Sequence, residues 1–272
     1  MSVLHRKISM WWLLAIPVIL YAGLLIYALT CADSMLFYPH RADLPAGVNA
    51  IQLKSADGTL ISAVHLRNDA ARFTLLYSYG NGEDVAVNIP FFRDLQKAGF
   101  AVFAYDYPGY GMSAGRPSEQ GICRAIDAAY DYLTTTAKVP PGRIIVCGRS
   151  LGGGAACDLA AHRPVAGLIM ISPFVSAFRV LTRIPLLPFD KFNNIRKIER
   201  VTCPVLLIHG GEDRTIAFWH SQALLAAANQ PKRLVPVPGT GHNDMLSSAA
   251  AFQRVKTALA EFAASLPVHN DQ

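Results

Sequence analysis

Charged residues are scarce in this sequence, and clusters of basic residues are absent. Only 16% of the 272 residues are Asp, Glu, Lys or Arg, while 52% are hydrophobic. A chain this apolar can bury a large core, which excludes an intrinsically disordered protein. The formal net charge is +6, but no run of five or more basic residues occurs, so the sequence does not indicate nucleic-acid binding.

Patterns that bind metals, phosphates or dinucleotides are missing as well. The five cysteines form no CxxC pair, and the histidines complete no zinc-ligand spacing, which argues against a metal site. The odd number of cysteines also argues against a disulfide-stapled fold. Gly109 and Gly111 lack the third glycine of a dinucleotide fingerprint, and no phosphate-binding Gly-Lys-Ser/Thr follows. We therefore expect no cofactor.

One long stretch carries no charge at all. Residues 8–32 are 25 consecutive residues without Asp, Glu, Lys or Arg. As a helix rising about 1.5 Å per residue, this stretch spans roughly 37 Å, enough for the ~30 Å hydrocarbon core of a bilayer. Trp11 and Trp12 are typical of a membrane interface. The sequence predicts an uncleaved, single-pass membrane anchor over residues 1–33.

The charges around this stretch bear on two alternatives. A cleaved signal peptide would have His5, Arg6 and Lys7 as its basic region, but its apolar core of 7–15 residues would be shorter than this one. Arg6 and Lys7 precede the stretch, and Asp33 and Arg41 are the first charges after it. The positive-inside rule then puts the rest of the chain on the outer, non-cytoplasmic face, although five unpaired cysteines favour the opposite orientation.

The remaining chain, residues 34–272, reads as one α/β domain. On each side of Asp57-Gly58 lies a segment in which apolar and polar residues alternate, and this pattern predicts a β-hairpin. Short apolar runs follow, as expected for strands buried on both faces, at 73–79, 101–105, 143–147, 165–171, 205–208 and 233–237. Helical segments lie between and after them, at 85–98, 118–137, 152–162, 214–229 and 247–265. This order predicts a mostly parallel sheet with helices on both faces.

One segment departs from the alternation of strands and helices. Residues 174–200 are longer than a crossover helix requires, and Pro185 and Pro188 break any long helix there. We interpret the segment as a small apolar lid, with a plain crossover as the alternative. Three residues of the lid would line an apolar substrate pocket: Leu186, Leu187 and Phe189.

The motif GxSxG occurs twice, at 111–115 and at 148–152. A nucleophile elbow needs a strand that leads into the serine and a helix that leaves it, because the tight turn exposes Oγ above the sheet. Ser150 meets both conditions. Ser113 meets neither, because its strand ends near Tyr105 and Pro117 delays the next helix, so we interpret it as a loop residue.

A nucleophilic serine needs a base and an orienting acid, which follow it in the order Ser, acid, His in this kind of fold. Asp213 follows the strand at 205–208, and Glu212 is the neighbouring candidate. His242 follows the strand at 233–237 in a glycine-flanked loop. The other histidines considered fit worse as the base: His5, His162, His209 and His220. For the oxyanion, the expected backbone N–H donors are Leu151, after the nucleophile, and Asn81, in the loop after the strand at 73–79.

These motifs resemble those of the Bem46-like branch of the α/β-hydrolases, which includes membrane-anchored serine hydrolases and related protein depalmitoylases. The matching pieces are LFYP (36–39), YGN (79–81), YDYPGYGMSAG (105–115), GRSLGGG (148–154), SPF (172–174), HGGEDRTI (209–216) and GTGHND (239–244). By this resemblance Ser150 is the nucleophile, Asp213 the acid and His242 the base, while Ser113 lies in a structural loop. The family usually has His where this chain has Tyr79, which raises a question about the packing of the oxyanion loop.

The expected activity is hydrolysis of a small acyl ester, a thioester or an acylated substrate through an acyl-enzyme. A peptidase or amidase of the same fold is the alternative enzyme, and a catalytically silent, membrane-anchored scaffold is the alternative without turnover. The cytosol-facing depalmitoylases of the family favour a catalytic domain on the cytoplasmic side, against the positive-inside rule.

Overall fold

The computed structural model describes residues 11–267, in two compact units that divide between Tyr38 and Pro39. The first unit is helix α1, Trp11–Leu36, which extends three residues past the predicted end of the anchor. Its segment Ala15–Leu36 has a mean hydropathy of 2.1 and is long and apolar enough to cross a membrane, as a signal sequence also can be. Residues 1–10 of the predicted anchor, among them the basic residues His5, Arg6 and Lys7, lie outside the described residues.

The second unit is built on one sheet of eight strands, in the order β1-β2-β4-β3-β5-β6-β7-β8. The strands are β1 Ile51–Lys54, β2 Leu60–Leu66, β3 Thr74–Ser78, β4 Ala101–Tyr105, β5 Ile144–Arg149, β6 Gly167–Ile171, β7 Val205–Gly210 and β8 Lys232–Val237. The helices are α2 Val85–Lys97, α3 Glu119–Asp131, α4 Leu151–Ala160, α5 Asn194–Lys197, α6 Trp219–Ala227, α7 Asp244–Ser247 and α8 Ala249–Ser265.

The pairing of the strands confirms the predicted sheet. β1 and β2 form an antiparallel hairpin, and β2 pairs antiparallel with β4, whereas all pairs from β4 to β8 are parallel. At the hairpin turn the Ser55 hydroxyl donates to Asp57 Oδ1 at 2.6 Å, and Gly58 has φ +83°, where a side chain would be strained. These stabilising residues all lie within the turn itself, so the turn can be predicted from the local sequence.

The apolar runs form strands because both of their faces are covered. Every residue of β3, β4, β5, β6 and β7 is buried. Helix α4 packs against β5 and β6, while α2 reaches α8 through Phe91 and Phe252, whose ring centroids are 5.5 Å apart. Burying one large apolar side chain stabilises the fold by about 1.5–3 kcal/mol, so this double coverage holds the central strands in place.

Two helix boundaries differ from the sequence prediction. α6 begins at Trp219 rather than near 214, because Asp213 Oδ1 accepts the backbone N–H groups of Thr215 and Ile216 and so holds a turn there. The C-terminal helix is interrupted at Ser248, whose extended backbone ends α7 and whose hydroxyl caps α8. Both interruptions come from a side chain that bonds local backbone instead of allowing the helix to continue.

The segment at 174–200 contains no long helix. It has a short 3-10 turn at Phe178–Val180 and the single-turn helix α5, and the phenyl rings of Phe178 and Phe189 lie 6.0 Å apart. Three apolar side chains on it are solvent-exposed: Leu181 (87%), Ile184 (63%) and Leu186 (48%). The segment is thus an apolar surface excursion, and its role as a lid stays a prediction.

Candidate active site

Ser150 sits on a sharp turn between β5 and α4. Its backbone has φ +50° and ψ −117°, an unusual conformation for a residue with a side chain, and such strain typically costs about 1–3 kcal/mol. A side chain on Gly148 would overlap the backbone of Gly152, and one on Gly152 would overlap the backbone of Ser78. The two glycines of this GxSxG motif therefore permit the close approach of helix and strands that forms the elbow.

Ser150, His242 and Asp213 form a continuous hydrogen-bonded chain. His242 Nε2 lies 3.0 Å from Ser150 Oγ, and His242 Nδ1 lies 2.7 Å from Asp213 Oδ2. The three come from the ends of β5, β7 and β8, whose carboxyl termini meet at one edge of the parallel sheet. The fold thus brings together three residues that are up to 92 positions apart in the chain.

The Asp213 carboxylate is held by four donors. Oδ1 accepts the N–H groups of Thr215 at 2.9 Å and Ile216 at 2.7 Å, and Oδ2 faces both His242 and His209. Burial alone would raise the pKa of Asp213, but the hydrogen bonds from His209 and His242 and the Ile216 N–H hold that pKa well below its ordinary value. The ionised carboxylate favours the His242 tautomer with the proton on Nδ1, which leaves Nε2 free to accept from Ser150.

His209 also contacts the site. The sequence places this residue only among the candidate bases, where His242 fits better. His209 is fully buried, with Nε2 at 2.8 Å from the Ile216 carbonyl oxygen and Nδ1 at 2.6 Å from Ser221 Oγ. A histidine at the end of a buried strand, four residues before the acid, is the sequence signal for this contact. Glu212, the alternative acid, is exposed.

Ser113 has a structural environment, in agreement with the sequence interpretation. Its side chain is buried, accepts the Ser62 N–H at 2.9 Å and donates to the Asp106 carbonyl oxygen at 2.9 Å. These bonds tie the loop after β4 to the hairpin strand β2. The second GxSxG motif therefore lacks the histidine contact and the sharp strand-to-helix turn that Ser150 has.

The two expected oxyanion donors lie at the start of α4 and in the turn after β3. Leu151 is the first residue of α4, so its N–H has no acceptor within the helix. Asn81 lies in the turn after β3, where its Oδ1 accepts from the Tyr110 hydroxyl at 2.7 Å and from the Gly82 N–H at 3.1 Å. The Asn81 side chain thus fixes the loop, and the role of its backbone N–H stays a prediction.

Tyr79, which replaces the usual histidine, is accommodated by a buried network. Its hydroxyl donates to Asp106 Oδ1 at 3.1 Å and accepts the Tyr107 N–H at 3.0 Å, and the Tyr107 hydroxyl donates to the Tyr79 carbonyl oxygen. Burial raises the pKa of Tyr79 well above its ordinary value, so the residue remains a phenol, and burial raises the pKa of Asp106 to about 6. The loop is therefore packed tightly without the histidine.

An ion pair lies beside the site, and no sequence motif predicted it. Arg149, which precedes the serine, pairs with Glu83 of the loop after β3, and only 8% and 24% of their side chains are exposed. Within residues 11–267 no group of three or more His, Cys, Asp or Glu side chains could hold a metal ion. The polar groups at this sheet edge include the hydrogen-bonded Ser-His-Asp chain and this ion pair.

Comparison with known proteins agrees with the fold. The family model of serine aminopeptidases, S33, matches residues 69–189. Alpha/beta hydrolase domain-containing protein 17B of Xenopus laevis is 34% identical over 249 residues, which cover 86% of each chain. Its counterpart from Homo sapiens is also 34% identical, over 244 residues and 85% of each chain.

Solved structures at lower identity share the fold. The esterase Pf2001 of Pyrococcus furiosus superimposes with a TM-score of 0.70 at 17% identity, over 85% of this chain and 97% of that one. Est1E of Butyrivibrio proteoclasticus gives a TM-score of 0.64 at 21% identity, over 79% and 98%. Fold and relatives together define an α/β-hydrolase, a hydrolase of the serine-hydrolase superfamily. The chain belongs to the family of the alpha/beta hydrolase domain-containing proteins 17.

Proposed function

We propose that the protein is a membrane-anchored serine hydrolase that cleaves carboxylic esters or thioesters through an acyl-enzyme. The observation that carries the proposal is the chain Ser150–His242–Asp213, with heavy-atom distances of 3.0 and 2.7 Å, on an elbow of the required backbone shape. Esterases among the structures of the same fold agree with this reaction class.

In the first half-reaction Ser150 Oγ attacks the acyl carbon while His242 Nε2 takes the serine proton. Asp213 stabilises the imidazolium and keeps its orientation. The oxyanion of the tetrahedral intermediate accepts the N–H groups of Asn81 and Leu151, and loss of one such donor typically costs about 3–4 kcal/mol in the barrier. The imidazolium then protonates the departing alcohol or thiol, which leaves the acyl group on Ser150.

In the second half-reaction water replaces the leaving group. His242 takes a proton from the water, whose oxygen attacks the acyl carbon of the ester on Ser150. The second tetrahedral intermediate collapses, the carboxylic acid departs, and the proton returns from His242 to Ser150 Oγ. Every step uses side chains or backbone groups of this chain and water only.

For the substrate we propose a compound with an apolar acyl chain. The exposed apolar residues of the segment at 174–200 and the apolar helix α1 favour a lipid-like acyl group, with Leu186, Leu187 and Phe189 lining its pocket. A peptidase or amidase is the second candidate, because the matching family model is that of a serine aminopeptidase. The same triad serves both reactions, since His242 can protonate an amine as well as an alcohol.

A fluorophosphonate probe tests the proposal on the full chain in detergent. We expect covalent labelling of the wild type and of Ser113→Ala, and none of Ser150→Ala. Turnover of p-nitrophenyl esters of increasing chain length, of one acyl-thioester and of one amino-acid p-nitroanilide then separates esterase, thioesterase and peptidase. A wild type that is folded but neither labelled nor active would be a silent scaffold.

A further inference from the structure

The ion pair between Glu83 and Arg149 lies among three loops that carry the proposed machinery. Arg149 is the last residue of β5 and is followed directly by Ser150. Glu83 lies two residues after Asn81, in the loop between β3 and α2. The two carboxylate oxygens of Glu83 contact different segments. Oε1 accepts from Arg149 Nη1, whereas Oε2 accepts from the loop between β3 and α2.

On the oxyanion side, Glu83 holds the backbone just before the expected donor. Its Oε2 accepts the Gly80 N–H at 3.3 Å and one Nδ2–H of Asn88 at 3.1 Å. The Asn81 N–H belongs to the peptide group that joins Gly80 to Asn81, so the orientation of Gly80 sets the direction of that donor. Asn88 belongs to α2 and fixes Glu83 to a regular element.

On the base side, Arg149 reaches the loop that carries His242. Its Nη2 donates to the His242 carbonyl oxygen at 3.5 Å, which makes the guanidinium a bridge from the oxyanion loop to the base. A Cβ on Gly80 would lie 2.8 Å from Arg149 Nη1 and 3.2 Å from Glu83 Oε1. Glycine at position 80 therefore leaves the space that the guanidinium occupies.

The pair is not optimised for stability alone. Arg149 Nε is buried and has no hydrogen-bond partner among the described residues, so the guanidinium is only partly satisfied. Burying two charges costs desolvation that their attraction offsets only with full hydrogen bonding, and a buried ion pair is often replaceable by apolar residues. A buried pair with an unsatisfied donor, placed between three catalytic loops, points to a role in geometry.

We propose that Glu83 and Arg149 are positioning residues that hold the Asn81 donor, the Ser150 elbow and the His242 loop in one arrangement. This inference rests on the proposed function, since it assigns the pair to that reaction. Neither residue needs to touch the substrate. A displacement of about 1 Å in such a loop can lower the rate about 100-fold, which is the scale on which the pair acts.

Three variants separate positioning from stability: Glu83→Gln, Arg149→Met and the double variant. Each single variant leaves one buried polar partner unmatched, whereas the double variant has no uncompensated charge. We expect both single variants to lose kcat by about 10- to 100-fold with KM within about threefold of the wild type. The double variant should regain the thermal midpoint of the wild type and keep the low kcat.

The readouts are chosen so that folding does not decide the result. kcat on p-nitrophenyl butyrate is expressed per active site titrated with the fluorophosphonate, at a temperature where circular dichroism shows each variant folded. A trifluoromethyl ketone, which forms a tetrahedral oxyanion on the serine, should bind each variant more weakly in proportion to the loss in kcat/KM. Arg124→Met is the matched control, because Arg124 forms an ion pair with Asp57 at 2.8 Å in the hairpin turn and should keep its kcat.

Two results would overturn the positioning role. One is recovery of kcat together with stability in the double variant, which would make the pair a purely structural contact. The other is retention of kcat within about twofold in the folded single variants. Failure of the proposed function itself looks different, because the wild type would then be neither labelled at Ser150 nor active.

Discussion

His209 Nε2 lies 3.4 Å from Asp213 Oδ2, the same carboxylate oxygen that His242 Nδ1 contacts at 2.7 Å. Because His209 Nε2 faces two acceptors, this carboxylate and the Ile216 carbonyl oxygen, the proton lies on Nε2. Nδ1 then accepts from the Ser221 hydroxyl. The Asp213 carboxylate is thus contacted from β7 by a second histidine.

Replacing that histidine should destabilise the fold. His209→Phe leaves the Ser221 hydroxyl and the Ile216 carbonyl oxygen buried and unpaired, at a cost of about 1–3 kcal/mol for each group. Ser221→Ala leaves only one buried group, His209 Nδ1, without a partner and should cost about 1–3 kcal/mol, less than the two groups together in His209→Phe. Urea unfolding of both variants measures the difference, and equal losses would contradict the assignment of two contacts to His209.

The three residues of the proposed triad should act as a unit. Ser150→Ala and His242→Ala should each lower kcat by roughly 10⁴-fold or more, and the double variant should be scarcely worse. Asp213→Asn should cost less than either, but more than about tenfold, because it disturbs the tautomer of His242. Steady-state kinetics checks these values.

Ser113→Ala and Glu212→Gln are the controls for the triad, since Ser113 is a buried loop contact and Glu212 is exposed. Both should keep most of the activity per folded molecule. Loss of turnover in Ser113→Ala alongside retention in Ser150→Ala would assign the elbow to the wrong GxSxG motif.

Asp106 should make stability fall as the pH rises. Its pKa in the folded protein is raised to about 6 by burial, above the ordinary value of 3.8 in the unfolded chain. Between these two pH values the Asp106 carboxyl is protonated in the folded state and ionised in the unfolded state. The free energy of unfolding therefore decreases as the pH rises through this range, by about 3 kcal/mol in all.

The difference in unfolding free energy between the wild type and Asp106→Asn isolates this effect, because every other titrating group is common to both proteins. The difference should decrease between about pH 4 and pH 6 and level off above. Urea unfolding at several pH values measures it. A difference independent of pH would show that Asp106 titrates normally.

Phe189→Asp tests the proposed acyl pocket. If Phe189 lines it, the charge should lower kcat/KM for a long-chain p-nitrophenyl ester by more than about tenfold and leave the acetate ester nearly unchanged. Leu181→Asp is the matched control, because Leu181 is 87% exposed on the same segment. Equal losses on short and long esters would indicate a folding defect and argue against a lid.

Protease accessibility tests the orientation proposed from the charges around the anchor. Arg6 and Lys7 before the apolar run favour a cytoplasmic N-terminus, so protease added to intact cells or spheroplasts should degrade the catalytic domain. A cytoplasmic marker protein should stay intact in the same sample. Full protection of the catalytic domain until the membrane is permeabilised would reverse the orientation.

Local patterns were sufficient to predict the architecture. β4 has its predicted bounds, Ala101–Tyr105, and the hairpin turns at Asp57-Gly58 as its signal indicates. Such elements can be read from a sequence because burial on both faces produces continuous apolar runs, and a glycine with positive φ marks a turn. The choice between the two GxSxG motifs also depended on local context, the strand before the serine and the helix after it.

Contacts between distant segments required the folded chain. Glu83 and Arg149 are 66 residues apart, and nothing in either local sequence indicates that they pair. The packing of Tyr79 against Asp106 and the support of Asp213 by His209 depend in the same way on which strand ends meet at one edge of the sheet. Side-chain periodicity reports the burial of an element, whereas the partner of a polar group is set by the register between strands, which no single segment encodes.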